Sequence, residues 1–161
     1  MDLTQITDSE LVQLYPALLR ELKIREIIRT RNLVGELGKF IVKQTFNRNN
    51  VTHNLFDAQN SQKNYSFTDE YGHRYNLKTT SGSNTGVFHS VPLDNEAAPS
   101  FEKLVILRFS KEYDAKIILM VDWEDFVYFR QIKRPEGKWY VQISPELIKK
   151  AQKIEPAMNL I

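Results

Sequence analysis

Apolar residues recur at helical spacing over the N-terminal part of the chain. A first stretch follows a candidate helix cap at Thr7 or Asp8, and its apolar positions are Leu11, Leu14, Leu18, Leu19 and Leu22. Pro16 lies inside this pattern, which predicts a kink or a later start of the helix. A second stretch from about Val34 to Phe46 carries its apolar residues on one stripe. The pattern therefore predicts two successive helices.

Strand-like patterns follow in the middle of the chain. Residues 65–69 and 73–80 alternate between apolar and polar side chains, and Gly72 supplies a turn between them, so they predict a hairpin. Two nearly continuous apolar runs, 103–109 and 115–121, predict buried central strands.

The remaining segments predict a long loop and a short C-terminal part. Residues 79–100 are rich in Ser, Gly, Asn, Pro and Thr, which is typical of a loop. Residues 122–126 predict a short helix or turn and residues 139–143 a late strand. Ser144, Pro145 and Glu146 predict the start of a final helix that runs to about Lys153.

These elements predict an α/β (α+β) fold in which a central mixed β-sheet is flanked by helices. The length of 161 residues suits one domain over positions 1–161. Within it we expect an N-terminal helical segment over 1–32, a core over 33–121 and a C-terminal strand and helix over 122–161.

Composition narrows the classes of function only slightly. The chain has 22 basic and 20 acidic residues, so its net charge of +2 does not indicate a nucleic-acid binder, and any DNA-binding face would be local. It contains no cysteine, which excludes disulfides, thiolate metal sites and thiol nucleophiles. The three histidines, His53, His73 and His89, match no metal-binding spacing. No signal peptide or long apolar run is present, so we expect a soluble, cytoplasmic protein without a membrane partner.

The predicted hairpin brings three polar residues together in one of its two registers. If Asp69 faces His73 across a three-residue loop, Ser66 lies opposite Asn76, and Asn76 and Lys78 point to the same face. A two-residue turn would shift the pairing and separate them. Either these residues form a site, or they are the ordinary polar face of a hairpin.

The order of these parts resembles the PD-(D/E)XK restriction-endonuclease-like superfamily. The resemblance rests on Val34-Gly35-Glu36-Leu37-Gly38 and on the hairpin from Ser61 to Thr79 with Asn76-Leu77-Lys78, within residues 33 to 121. It implies a restriction-endonuclease-like core and Mg²⁺-dependent hydrolysis of DNA phosphodiester bonds. In that family two strand carboxylates and a helix acid hold Mg²⁺, while a lysine positions or activates the attacking water.

Carried onto this chain, the resemblance makes Glu36 the helix acid, Ser66 and Asn76 the two strand positions, and Lys78 the lysine. The implied catalytic residues are therefore Glu36, Ser66, Asn76 and Lys78, and the implied metal ligands are Glu36, Ser66 and Asn76. Two of these positions depart from the family pattern, because Ser66 and Asn76 replace carboxylates. Mg²⁺ needs negative oxygen ligands to compete with its hydration shell, so we expect weak binding of the ion.

Lys78 without carboxylate partners is better suited to a phosphate contact than to catalysis. Lys63, Arg74 and Lys78 are the expected nucleic-acid contacts. Nearby acidic residues offer replacement carboxylates, namely Asp57, Asp69 and Glu70, although alternation places Asp69 on the face opposite Ser66. The aromatic residues Trp123, Tyr128, Trp139 and Tyr140 are assigned to core packing rather than to base stacking.

Three functions remain open at this point. The first is a divergent Mg²⁺-dependent endonuclease of the restriction or defence type, acting on double-stranded DNA. The second is a catalytically inactive nucleic-acid-binding descendant, and the third is a protein-interaction module on the same fold. The resemblance also suggests a homodimer, whereas the sequence shows no heptad and no exposed apolar stripe that would argue for one independently.

Overall fold

The computed structural model describes residues 2–49, 53–59 and 64–157. The chain divides into two compact units, Met1–Leu37 and Gly38–Ile161. The prediction of one domain over residues 1–161 stays a prediction. No helix among the described residues has the length and apolar character needed to cross a membrane.

The first unit consists of a short 3-10 turn, a long helix and the start of a second helix. Helix α1 spans Asp8–Ile24 and begins with a capping box, in which the Glu10 amide donates to Thr7 Oγ1 and the Thr7 amide donates to Glu10 Oε2. The helix continues through Pro16, so the later start considered above does not occur. No residue of α1 is buried, which corrects the expectation that the chain has no exposed apolar stripe.

Helix α2 spans Leu33–Asn49, and its portion from Gly38 onward belongs to the second unit. That unit continues with β1 Phe56–Asp57, β2 Phe67–Thr68, β3 Arg74–Thr80, β4 Lys103–Phe109, β5 Ala115–Asp122, α3 Trp123–Phe129, β6 Arg130–Lys133, β7 Lys138–Val141, α4 Pro145–Lys150 and β8 Gln152–Ile154. Six strands form one mixed sheet in the order β1-β2-β3-β4-β5-β8, and β6 and β7 form a separate pair. The neighbours β3 and β4 are parallel, whereas the other pairs are antiparallel.

Alternation along β3 divides its side chains between two packed faces. Tyr75 and Thr79 lie on the face covered by α2, since the Tyr75 ring meets Phe46 edge to face at 6.3 Å and Thr79 lies against Gly38. Asn76 and Lys78 lie on the other face. There, β4 and β5 contribute to a core cluster made by the loop before β4, α3, β7 and α4, which includes Phe88, Phe101, Leu104, Ile106, Leu119, Val121, Phe126, Trp139, Val141 and Leu147.

The structure confirms the mixed sheet flanked by helices, and it confirms the strand at 103–109. The final helix is shorter than predicted, because Gln152 and Lys153 belong to β8 and pair with β5 instead of continuing α4. Tyr128 is 77% exposed, so its assignment to the core is wrong. The short strands β1, β6 and β8 were not predicted.

The contact between α2 and β3 gives a test of this packing. A Cβ atom on Gly38 would lie 2.2 Å from Thr79 Cγ2. We therefore expect Gly38→Ala to lower the free energy of unfolding by about 1–3 kcal/mol through overpacking, although alanine normally stabilises a helix interior by about 1 kcal/mol relative to glycine. Urea denaturation measures the change.

Thr79→Ser removes the methyl group that the new Cβ would meet, so the double variant should recover most of the lost stability. Gly86→Ala is the matched control, because a Cβ there meets nothing within 4 Å. A Gly38→Ala protein as stable as the unmodified chain would contradict this packing.

Candidate functional site

The hairpin adopts the register that brings the candidate residues close. The Asp69 amide donates to the His73 carbonyl at 3.1 Å, and Phe67 pairs with Tyr75, which confirms the three-residue turn. Ser66 lies just before the paired residues of β2. Its amide donates to the Tyr75 carbonyl at 2.7 Å. Because Tyr75 already pairs with Phe67, the backbone bonds at Ser66 depart from the regular antiparallel pattern.

Asp69 fixes this turn. Its buried carboxylate accepts hydrogen bonds from the backbone amides of Tyr71 and His73, each at 2.9 Å, and from the Tyr75 hydroxyl at 3.0 Å. The His73 ring nitrogen Nδ1 lies 2.9 Å from the second carboxylate oxygen. Burial raises the pKa of Asp69, but the hydrogen bonds outweigh burial and lower the pKa overall. Asp69 therefore has a structural task on the α2 side of the hairpin.

Ser66 and Asn76 each form one hydrogen bond between the side chain and a main-chain group. Ser66 Oγ accepts from the Leu77 amide at 3.2 Å, and Asn76 Nδ2 donates to the Asn64 carbonyl at 2.7 Å. Asn76 is 7% exposed. The side-chain oxygen of Asn64 is buried without a hydrogen-bond partner. These contacts hold the strand that enters the hairpin against β3.

Lys78 crosses from β3 into the core cluster. Its Nζ donates to the Val87 carbonyl at 2.8 Å and lies 4.5 Å from the centre of the Phe88 ring. No ion pair joins Lys78 to an acidic residue in the part of the chain that the structure describes. Burial lowers the pKa of Lys78 from 10.5 to about 8. The amine, for which the sequence predicts no carboxylate partner, thus contacts a carbonyl dipole and an aromatic face.

Arg74 is held by Glu102. The guanidinium bonds both carboxylate oxygens, at 3.0 Å through Nε and 2.5 Å through Nη2, and Nη2 also reaches the Pro99 carbonyl at 2.9 Å. This hydrogen-bonded pair raises the pKa of Arg74 and lowers the pKa of Glu102. The side chain that was expected to contact phosphate is therefore already bound to a carboxylate.

The other two predicted residues are Glu36 and Lys63. Glu36 belongs to the first unit, where its buried carboxylate accepts from the Arg29 amide at 3.1 Å and from the Thr30 hydroxyl at 3.5 Å. These bonds fix the turn before α2. Lys63 lies outside the described residues, so its expected contact with nucleic acid stays a prediction.

The residues of the hairpin do not fit the Mg²⁺ ion that the resemblance implies. Ser66, Asn76 and Asn64 offer neutral oxygens only, whereas Mg²⁺ is held in proteins by carboxylates. The acidic residues nearest in sequence have other partners, since Glu70 lies 3.1 Å from His53 and Asp57 lies 3.2 Å from Lys43. Among the described residues, no three His, Asp or Glu side chains converge on a point that could hold a metal.

Sequence reasoning missed the groups that surround the candidate residues. The Val87 carbonyl and the Phe88 ring lie in the segment predicted as a loop, and Glu102 immediately precedes β4. An apolar residue such as Phe88 within a polar loop was the available signal of a return to the core. The carbonyl of Val87 has no sequence signature at all.

Comparison of the sequence with protein families and with curated proteins finds no relative. No protein-family model matches the sequence, and no curated protein matches it. The restriction-endonuclease-like assignment therefore continues to rest on the resemblance of the motifs.

The burial of Lys78 gives a pH-dependent prediction. Between pH 8 and 10.5 the folded protein has released the Lys78 proton while the unfolded chain still holds it, so stability rises with pH across this window. Lys78→Met removes the titrating amine and with it this rise in stability. Between pH 7 and pH 10.5, the free energy of unfolding of the unmodified protein should therefore rise relative to that of Lys78→Met, by up to about 3 kcal/mol.

Urea denaturation of both proteins at several pH values measures this difference. Lys111→Met, which removes an exposed lysine, is the control and should show the same pH dependence as the unmodified protein. Parallel curves for the unmodified protein and Lys78→Met would show that Lys78 is solvated in the folded state.

Proposed function

We propose that this chain is a catalytically inactive interaction module built on a restriction-endonuclease-like fold. One observation carries the proposal: Ser66 and Asn76 offer only neutral oxygens where the family has carboxylates, and the Ser66 hydroxyl, the Asn76 amide nitrogen and the Lys78 ammonium each bond to a main-chain group. Metal-assisted hydrolysis needs an ion that neutralises charge on the phosphate and acidifies water. Neutral oxygens without a carboxylate do not supply a place for that ion.

Two further contacts favour protein interaction over DNA binding through this face. Arg74 already forms a bidentate pair with Glu102, so a phosphate would have to displace a carboxylate. Lys78 is half-buried and donates to the Val87 carbonyl, so a phosphate would compete with that bond. DNA binding through the hairpin is therefore the less favoured of the two non-catalytic alternatives.

A weak Mg²⁺-dependent endonuclease is the second candidate, and one observation favours it. Because burial lowers the pKa of Lys78 to about 8, a larger fraction of its amine is neutral near physiological pH than in an exposed lysine. A neutral amine can accept a proton from water. The amine of Lys78 points at a carbonyl, however, and the restoration experiment below separates the two functions.

The test is a plasmid-nicking assay with Mg²⁺ or Mn²⁺ and an EDTA control. We expect no cleavage by the unmodified protein. The double variant Ser66→Asp with Asn76→Asp restores the family's two carboxylates and should gain metal-dependent nicking, which adding Lys78→Ala abolishes. The control variant Ser81→Asp with Asn84→Asp makes the same two changes at exposed loop positions and should stay inactive.

Circular dichroism verifies that each variant is folded, because Asn76→Asp removes the bond to the Asn64 carbonyl. Fluorescence anisotropy with a DNA duplex at low and high salt measures binding in parallel. Cleavage by the unmodified protein that Lys78→Ala removes would overturn the proposal in favour of the endonuclease. Salt-sensitive binding that Arg74→Ala abolishes would instead identify DNA as the partner.

A further inference from the structure

Helix α1 carries an apolar face of which five side chains are exposed, while Leu19 and Leu22 are half-buried. At 100° per residue, seven side chains fall on one side of the helix and form what we call the leucine face: Leu11, Val12, Leu14, Tyr15, Leu18, Leu19 and Leu22. Leu18 is 58% exposed, Tyr15 60% and Val12 74%. Isolated apolar residues on a surface are ordinary, but a contiguous stripe of this length marks an interaction site.

The first unit offers little apolar burial of its own. Among its described residues only one apolar side chain, Ile28, is buried. Segments shorter than about 40 residues rarely fold without disulfides, a metal or association with another chain. The chain contains no cysteine, so a disulfide is excluded. Covering the leucine face with another surface would add apolar burial to this unit.

The charges beside the leucine face indicate what covers it. Glu10 is occupied by the capping box, and Glu21 forms an ion pair with Arg25 at 2.6 Å. Asp8 and Lys23 form no ion pair within the described part of the chain. They lie at opposite ends of α1, on the same edge of the leucine face and about 22 Å apart at 1.5 Å per residue.

We propose that the leucine face binds the same face of a second copy of this chain, with the two α1 helices antiparallel. In this arrangement the Asp8 carboxylate of each copy meets the Lys23 ammonium of the other. A twofold axis near Tyr15 relates the two helices, so the acidic end of each helix faces the basic end of the other, as an isologous interface requires. The helix dipoles are also opposed, which is favourable for antiparallel neighbours.

The proposal does not depend on the function proposed for the hairpin, because it uses the first unit alone. Sedimentation equilibrium of the full chain between about 1 and 200 μM tests it, over the range in which weak homodimers dissociate. We expect a mass that rises with concentration toward twice 18.9 kDa. A monomer at every concentration would overturn the proposal and leave the leucine face to a different protein.

Paired variants identify the surface. Leu18→Glu places a charge in the leucine face and should weaken association at least about tenfold. Ala17→Glu introduces the same group at the neighbouring position on the opposite side of the helix and should leave association unchanged. Circular dichroism and urea denaturation confirm that both proteins are folded. A dimer that tolerates Leu18→Glu would show that another surface is responsible.

Charge reversal tests the antiparallel orientation. Lys23→Glu should weaken the dimer about two- to fivefold at low salt, and Asp8→Lys in the same chain should restore it. Failure of the second change to restore association would contradict the pairing of Asp8 with Lys23.

The absence of cysteine allows an independent check of the orientation by cross-linking. Tyr15→Cys lies near the twofold axis and should form a disulfide between two copies under mild oxidation. Leu22→Cys should not, since its two copies would lie about 20 Å apart in the antiparallel pair. Equal cross-linking at both positions would indicate parallel helices and overturn the proposed arrangement.

Discussion

Parallel pairing of β3 with β4 is the constraint on which the second unit depends. Two parallel neighbours cannot be joined by a tight turn, so the chain must cross over the sheet between them. Here the crossover is residues 81–102, which contain no helix and lie over the face of Asn76 and Lys78. Its middle places the Phe88 ring in the core and the Val87 carbonyl on Lys78, and its end places Glu102 on Arg74.

The crossover supplies the partner of Lys78 alone, whereas Ser66 and Asn76 bond to Leu77 and Asn64. In a magnesium-dependent site, the strands supply negatively charged oxygens to the ion, and neighbouring hydrogen bonds orient them. In this hairpin Ser66 and Asn76 have main-chain partners, and their neutral side chains need no counter-charge. Lys78 is the exception, because a buried ammonium next to a neutral carbonyl is poorly compensated. Its lowered pKa is the measure of that imbalance.

The sequence predicted those parts of the fold that depend on local pattern. The apolar run at 103–109 forms a strand that lies between β3 and β5 in the sheet, as its continuous apolar pattern predicts. The turn at Gly72 follows from the glycine and from the hydrogen bonds of Asp69. The short strand at Gln152–Ile154 could not be predicted, because its three residues pair with β5 only after the whole sheet has formed. The helix propensity of these residues favours a longer α4, but pairing with the distant strand β5 places them in the sheet.

The candidate site was predictable in its members but not in their partners. Alternation placed Asn76 and Lys78 on one face, since that depends on neighbouring positions alone. What each side chain bonds to depends on residues 9 to 28 positions away, such as Val87 for Lys78 and Glu102 for Arg74. The two units thus differ in what they leave unsatisfied. The hairpin has neutral side chains at the two positions where the resemblance implies carboxylates, whereas α1 exposes apolar side chains that a folded chain would normally cover.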